Sequence, residues 1–97
     1  MKKKFKNLNE VRKSIDNVDN RLVKLIAERE LYAKEAVKFK VKKNQIIDKN
    51  RINEVLRKTK KLSKKYKVNS LTIERIWRLM IQNFIILEKK LFKKPKK

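Results

Sequence analysis

Glycine, cysteine and histidine are all absent from this 97-residue chain, and its one proline, Pro95, stands near the end. Because no glycine or proline interrupts positions 1–94, the sequence favours long helices. The lack of cysteine excludes disulfides and thiolate metal sites, and the lack of histidine excludes histidine-based triads and bases. These absences predict an all-helical fold and exclude any chemistry that needs a thiol or an imidazole.

Long apolar runs are also missing. No run approaches the roughly 18 residues that span a bilayer, and no apolar core of signal-peptide length follows Lys2, Lys3 and Lys4. We therefore expect no membrane partner and a cytoplasmic location. The length allows one domain, over residues 1–97, with residues 1–6 and 93–97 frayed.

Positive charge is the feature present in greatest excess. Lysine and arginine total 31 against 10 acidic residues, a net charge of +21. A basic helical module that binds nucleic acid is one interpretation of this charge. However, the lysines are spread through every segment, as in 58–65 and 89–97, and aromatic residues make up only 7%. The pattern therefore favours nonspecific attraction to nucleic acid over a localised recognition surface.

Apolar residues recur at spacings of three and four from Leu8 to Ala36, which is typical of one face of a helix. Asn7 or Asn9 is the expected N-cap, and the pattern predicts a first helix that runs to about Val41. At about 1.5 Å per residue this helix measures about 50 Å.

Two shorter helices follow the first. Asp48 is the expected N-cap of a second helix from Lys49 to about Tyr66. Asn69 or Ser70 caps a third helix, whose apolar positions continue to Leu91. Because each is much shorter than the first helix, one copy does not cover the apolar stripe of the first helix along its length. We therefore predict an intertwined homodimer in which two long helices cross, rather than a single-chain bundle.

Cations interrupt this apolar stripe. The spacing of Val18, Leu22 and Leu25 leads to Arg29, and Lys40 lies about 20° away on a wheel of 3.6 residues per turn. Buried cations are costly unless they are paired, so an anionic ligand is one explanation. The alternative is that the long side chains extend to solvent.

Arg12 borders the same stripe, about 25 Å from Arg29 along the helix. The two side chains cannot share a ligand within one chain. In an antiparallel pair of helices, however, Arg12 of one copy approaches Arg29 of the other. A site built from both chains is the consequence.

Two more charged residues stand at unusual positions. Arg51 follows the Asp48 cap, where a cation opposes the helix dipole, so it suits an anion unless Asp48 or Glu54 pairs with it. Glu88 shares a face with apolar Phe84; burial would keep it protonated and able to donate a hydrogen bond, and the alternative is a pair with a lysine. Together these residues suit a small dicarboxylate held by guanidinium groups, without a nucleophile or a metal.

Several segments resemble the all-helical chorismate mutases, and the likeness covers nearly the whole chain. They are V-R-K-S-I-D-N-V-D at 11–19, L-I-A-E-R-E-L at 25–31, V-K-F-K at 37–40, D-K-N-R at 48–51 and I-W-R-L-M-I at 76–81. The resemblance implies a cofactor-free, homodimeric isomerase that rearranges chorismate to prephenate. It also implies that the arginines grip the two carboxylates of the substrate.

The resemblance also implies a role for each position. It makes Arg12 (donated across the dimer interface), Arg29 and Arg51 the residues that bind the carboxylates. Lys40 and Glu88 donate to the ether oxygen, for which Glu88 must be protonated. Asp48 lies near the substrate hydroxyl. The implied catalytic residues are Lys40, Glu88 and Arg29.

Two positions depart from the family pattern. Ile52 stands where many of these mutases have a glutamate that binds the substrate hydroxyl, and Phe84 stands where some have a small polar residue. Isochorismate–pyruvate lyases, which are similar in fold, are also apolar after the matching arginine. A lyase, or a mutase acting on 4-amino-4-deoxychorismate, is therefore an alternative. A homologue that binds a partner enzyme or a dicarboxylate without turnover is another.

Overall fold

The computed structural model describes residues 4–92, and within them it is helical, with no strand. Helix α1 spans Leu8–Val37, a single 3₁₀ turn spans Lys43–Gln45, α2 spans Lys49–Lys65 and α3 spans Ser70–Leu91. The prediction of an all-α chain with three helices and a long first helix is confirmed. Of the residues predicted to be frayed, 1–3 and 93–97 lie outside the described residues, and 4–6 precede the start of α1. No helix within 4–92 is long and apolar enough to cross a membrane.

Helix α1 begins at a side-chain cap. The Oδ1 atom of Asn7 accepts a hydrogen bond from the backbone N–H of Glu10 at 3.0 Å, and the Glu10 carboxylate accepts one from Lys6 N–H at 3.0 Å. Of the two predicted caps, the chain uses Asn7. The exchange satisfies N–H groups that have no partner inside the helix.

The predicted end of α1 near Val41 is wrong, because the helix stops at Val37. The N–H groups of residues 38–40 bond to carbonyls three residues back, at 3.1, 3.1 and 3.0 Å, and this tightens the chain into a narrower turn. The next N–H group, that of Val41, donates to the side chain of Gln45 instead of continuing the helix. A side-chain acceptor from four residues ahead therefore ends α1.

The chain divides into two compact units, Met1–Tyr32 and Ala33–Lys97, and α1 contributes to both. The described part of the first unit, residues 4–32, is chiefly helix. Many of its large apolar side chains are exposed, among them Ile15, Val18, Leu22 and Leu25.

The second unit contains the end of α1, the 3₁₀ turn, and α2 and α3, which pack as a helical hairpin. The predicted caps are present: Asp48 Oδ1 accepts from Arg51 N–H and Asn69 Oδ1 accepts from Thr72 N–H, each at 3.0 Å. Of the two caps expected for the third helix, the chain uses Asn69. These caps determine where α2 and α3 start.

The turn between α2 and α3 has a left-handed residue, Lys67, with φ of 57°. Val68 N–H donates to Ser63 O at 2.8 Å and Lys67 N–H donates to Lys64 O at 3.3 Å, the pair of bonds of a Schellman motif. Glycine usually occupies this position, and the chain has none. The hydroxyls of Ser63 and Ser70, 2.7 Å apart, join the two helices beside the turn.

Few apolar side chains within residues 4–92 are buried. Val37, Ile46 and Phe84 are 7%, 4% and 7% exposed, and all three belong to the second unit. The two buried polar side chains are satisfied locally, because Thr59 and Ser63 each donate to a carbonyl three residues earlier. One copy of this chain therefore has a small core relative to the apolar surface it exposes.

Candidate active site

The second unit brings together a lysine and a glutamate from distant parts of the sequence. The Nζ atom of Lys40 lies 3.2 Å from Oε1 of Glu88, with side chains that are 23% and 12% exposed. The tight turn after α1 positions Lys40, and the last turns of α3 position Glu88. The ion pairs Lys38–Glu35, Lys58–Glu54 and Arg78–Glu74 have side chains that are 45–68% exposed, so the pair of Lys40 and Glu88 is much less exposed than these three.

The pair answers two questions left open by the sequence. Lys40 does not extend into bulk solvent; its ammonium group donates to a carboxylate. Glu88 is paired with a lysine, which was the alternative to a protonated carboxyl, and the lysine is one of the predicted site residues. The two residues expected to act on the same atom of a substrate are thus neighbours.

Phe84 lies one helical turn before Glu88 and on the same face of α3. It is buried, so this face of α3 is shielded from solvent one turn before Glu88. Ile52, in the first turns of α2, is half-buried. Both of the residues that depart from the family pattern are therefore sequestered from solvent to some degree.

The start of α2 presents Asp48 and Arg51. Asp48 is exposed and commits Oδ1 to the N-cap bond. Arg51 does not stand alone at this helix start, because its guanidinium group donates to the Glu54 carboxylate. This bond holds the pKa of Glu54 below its ordinary value, and the charge of Lys58 acts in the same direction. The position of Arg51 relative to the helix dipole thus gives no independent support for an anion site.

Arg12 and Arg29 belong to the first unit, whereas the other six predicted site residues belong to the second. Arg12 is exposed on α1, and Arg29 is half-buried. Arg29 in the densest part of the apolar stripe is therefore not fully exposed. The assembly of all eight residues around one ligand stays a prediction.

Sequence reasoning missed Gln45. The segment Lys43-Asn44-Gln45 stood out only as a break in the helical pattern, yet Gln45 Oε1 accepts hydrogen bonds from Val41 N–H at 2.6 Å and Lys42 N–H at 2.8 Å. An amide side chain three residues after an extended residue has the spacing of a capping box, and this is the signal that would have found it.

The chemistry available to this cluster is binding and electrostatic stabilisation. An ammonium donor and a carboxyl group lie at hydrogen-bond distance beside apolar side chains, where electrostatic interactions are stronger than in water. An ammonium group in these surroundings stabilises negative charge that develops on an oxygen atom during a reaction. The fold and this cluster together define a class of all-helical domains with a half-buried ammonium–carboxyl pair.

Comparison with known proteins identifies that class. Residues 11–89 match the chorismate mutase type II family, so the chain belongs to this family and the resemblance is confirmed. The chain is 37% identical over 84 residues to the bifunctional chorismate mutase/prephenate dehydratase of Buchnera aphidicola subsp. Acyrthosiphon pisum. That match covers 86% of this chain and 22% of the Buchnera protein, so the chain spans about a fifth of that relative's length.

A second relative is of similar length to this chain. The chorismate mutase of Methanocaldococcus jannaschii is 35% identical over 86 residues, with 84% of each chain covered. All eight predicted site residues lie within the residues that match the family: Arg12, Arg29, Lys40, Asp48, Arg51, Ile52, Phe84 and Glu88.

Proposed function

We propose that this chain is an isomerase that rearranges chorismate to prephenate. The observation that carries the proposal is the half-buried pair of Lys40 and Glu88, at 3.2 Å, in a chain of the chorismate mutase type II family. These are the two side chains that the resemblance assigns to the ether oxygen of the substrate. No cofactor or metal is part of the proposal, and the expected location is the cytoplasm.

The proposed reaction is intramolecular. One carbon–oxygen bond of the ether breaks while a carbon–carbon bond forms, and no proton is gained or lost overall. The chain has to hold the substrate in a folded conformer and to stabilise negative charge on the departing oxygen. In this proposal Lys40 and protonated Glu88 donate to that oxygen, while Arg29 and Arg51 bind the carboxylates and Asp48 lies near the hydroxyl. Phe84 and Ile52 line the apolar side of the proposed substrate site.

In this proposal, substrate binding changes two ion pairs that the structure shows. Lys40 has to turn from Glu88 to the substrate while Glu88 takes up a proton, and the Arg51 guanidinium has to exchange Glu54 for a substrate carboxylate. The second exchange is inexpensive, because Arg51 and Glu54 are 59% and 45% exposed and surface pairs of this kind contribute little.

We further propose that the chain works as a homodimer with Arg12 donated to the site of the other copy. The exposed apolar side chains of α1 support this, since Leu22 and Leu25 are 49% and 59% exposed. A second copy laid antiparallel along α1 would cover such a surface and supply the core that one copy lacks.

Ile52 favours a second candidate function. A half-buried isoleucine directly after Arg51 cannot donate to or accept from a substrate hydroxyl, so a contact that sorts related substrates is missing. An isochorismate–pyruvate lyase is therefore the alternative, and a mutase of 4-amino-4-deoxychorismate is a further one.

Product identification with chorismate and with isochorismate decides between these functions. We expect prephenate from chorismate, without added metal or cofactor. Salicylate and pyruvate from isochorismate would establish the lyase instead, and turnover of neither substrate would refute both.

Lys40→Ala tests the observation that carries the proposal. Loss of a charge-assisted donor at the departing oxygen should lower kcat/KM by about 100-fold, equivalent to about 3 kcal/mol. Lys43→Ala is the control, since it removes the same charge from an exposed position close by. Equal activity of the two variants would show that Lys40 has no role in the reaction.

A further inference from the structure

The segment that joins α1 to α2 has two backbone N–H groups that make no helical hydrogen bond and donate to a side chain instead. After the bonds of residues 38–40 to carbonyls three residues back, Val41 and Lys42 are the next donors along the chain. The Oε1 atom of Gln45 accepts from both, at 2.6 and 2.8 Å. One side-chain oxygen thus closes a hydrogen-bonded turn directly after Lys40.

The main chain of the same turn completes this closure. Gln45 N–H donates to Lys42 O at 3.0 Å, so Gln45 and Lys42 exchange hydrogen bonds in both directions. Ile46, the next residue, is only 4% exposed and anchors the turn in the second unit. Gln45 therefore bonds to the 41–42 segment through both its side chain and its backbone. These bonds hold Val41 and Lys42 in place relative to the buried Ile46.

The neighbours of Lys40 give it no comparable support. Phe39 and Val41, on either side, are 85% and 60% exposed, so neither packs into a core that would orient the backbone between them. A lysine side chain is long and flexible, and the direction in which it leaves the backbone limits where its ammonium group can reach. The hydrogen bonds to Gln45 immediately follow this point in the chain.

We propose that Gln45 is a positioning residue: it holds the backbone after Lys40 so that the ammonium group meets Glu88 and, on the proposed function, the departing oxygen of the substrate. Gln45 touches neither Glu88 nor a reacting atom in this scheme. It acts through Lys40, and its contribution lies in the geometry of the transition state.

The two hydrogen bonds accepted by Gln45 determine which substitutions should preserve its role. Glutamate has an oxygen at the same reach and accepts from the same two N–H groups. Asparagine is shorter by one methylene, and alanine has no acceptor. Since these N–H groups lie at exposed residues, water takes over when the acceptor is lost, and the helices remain folded.

The experiment compares Gln45→Ala, Gln45→Glu and Gln45→Asn with the control Asn44→Ala. Asn44 is an exposed residue of the same turn, and its side chain makes no hydrogen bond within residues 4–92. For Gln45→Ala and Gln45→Asn we expect kcat to fall by about tenfold or more while KM changes by less than about threefold, because misplacement of a catalytic group acts on the transition state. Gln45→Glu should recover most of the activity, and Asn44→Ala should match the wild type.

Circular dichroism and thermal melting of the same variants separate folding from positioning. Activity of Gln45→Ala equal to that of Asn44→Ala overturns the role of Gln45, and so does a failure of Gln45→Glu to recover kcat in a folded protein. Those results are obtained with an active wild type and leave the proposed function standing. A wild type that converts neither chorismate nor isochorismate overturns the proposed function and the role of Gln45 together.

Discussion

Lys40 and Glu88 illustrate how two residues of opposite charge are kept partly out of water. Each compensates the other, so neither has to carry an unpaired charge beside Phe84. The same pairing occupies the groups that the proposed reaction needs. The two groups that the proposal assigns to one oxygen atom of a substrate are thus neighbours in the structure.

Glu88→Gln tests the protonation state at this site. If Glu88 donates to the ether oxygen, only its protonated form is active, so kcat/KM of the wild type should fall as the pH rises. A glutamine donates at every pH, and the variant should show a flatter profile. Profiles of kcat/KM against pH for both proteins check this, and coincident profiles would exclude a protonated Glu88 from the mechanism.

Arg29→Ala tests the cation in the middle of the apolar stripe. Removing a guanidinium group that binds a substrate carboxylate should reduce kcat/KM by at least about 100-fold, equivalent to about 3 kcal/mol. Arg21→Ala is a matched control, because Arg21 is an exposed arginine on the same helix. The steady-state kinetics of the two variants should differ widely; similar values would remove Arg29 from the site.

Among the helical elements, the turn from α2 to α3 shows the effect of a sequence without glycine. The Schellman motif at the end of α2 requires a left-handed residue, and Lys67 takes that conformation at φ of 57°. A residue with a Cβ atom is strained there by about 1–2 kcal/mol. The hairpin that carries Arg51 and Glu88 forms despite this strain, because caps, the Ser63–Ser70 contact and packing between the helices compensate it.

Lys67→Gly should raise the free energy of unfolding by about 0.5–1 kcal/mol, since relief of the left-handed strain exceeds the extra entropy that glycine loses on folding. Lys61→Gly, inside α2, should instead lower it by about 1 kcal/mol. Urea denaturation at one protein concentration measures both changes. A loss of stability in Lys67→Gly would show that the left-handed backbone carries no strain.

For the molecule as a whole, the exposed apolar side chains of α1 and the excess of cations act in opposite directions. Burial of Leu22 and Leu25 against another copy favours association, whereas a charge of +21 on each chain opposes it at low salt. We predict that this charge attracts nucleic acid without sequence preference, and that such binding weakens steeply as salt rises.

We predict that sedimentation at physiological ionic strength gives twice the mass of one chain, and that the thermal midpoint rises with protein concentration, as it does when association and folding are coupled. Because the proposed site takes Arg12 from the other copy, the activity per chain should fall when dilution separates the dimer. A chain that is monomeric at concentrations where it is fully active would refute the proposed assembly.

Local sequence features predicted most of the fold. The absence of glycine and internal proline, together with the three–four spacing of apolar residues, indicated three helices. The preference of side-chain oxygens for free N–H groups predicted the Asp48 cap, and it narrowed the other two caps to Asn7 or Asn9 and to Asn69 or Ser70. Each of these signals acts over a few residues, which is why they can be read in one dimension.

What the sequence determined by itself was therefore the helical class, the Asp48 cap and, through the spacing of its motifs, the family. Only the tertiary structure decided that α1 stops at Val37, that Lys40 meets Glu88 and that Arg51 is paired with Glu54. The contact of Lys40 with Glu88 joins residues far apart in the sequence, so it depends on how the elements pack. The end of α1 and the partner of Arg51 depend on competition between several acceptors within reach, which the backbone geometry resolves.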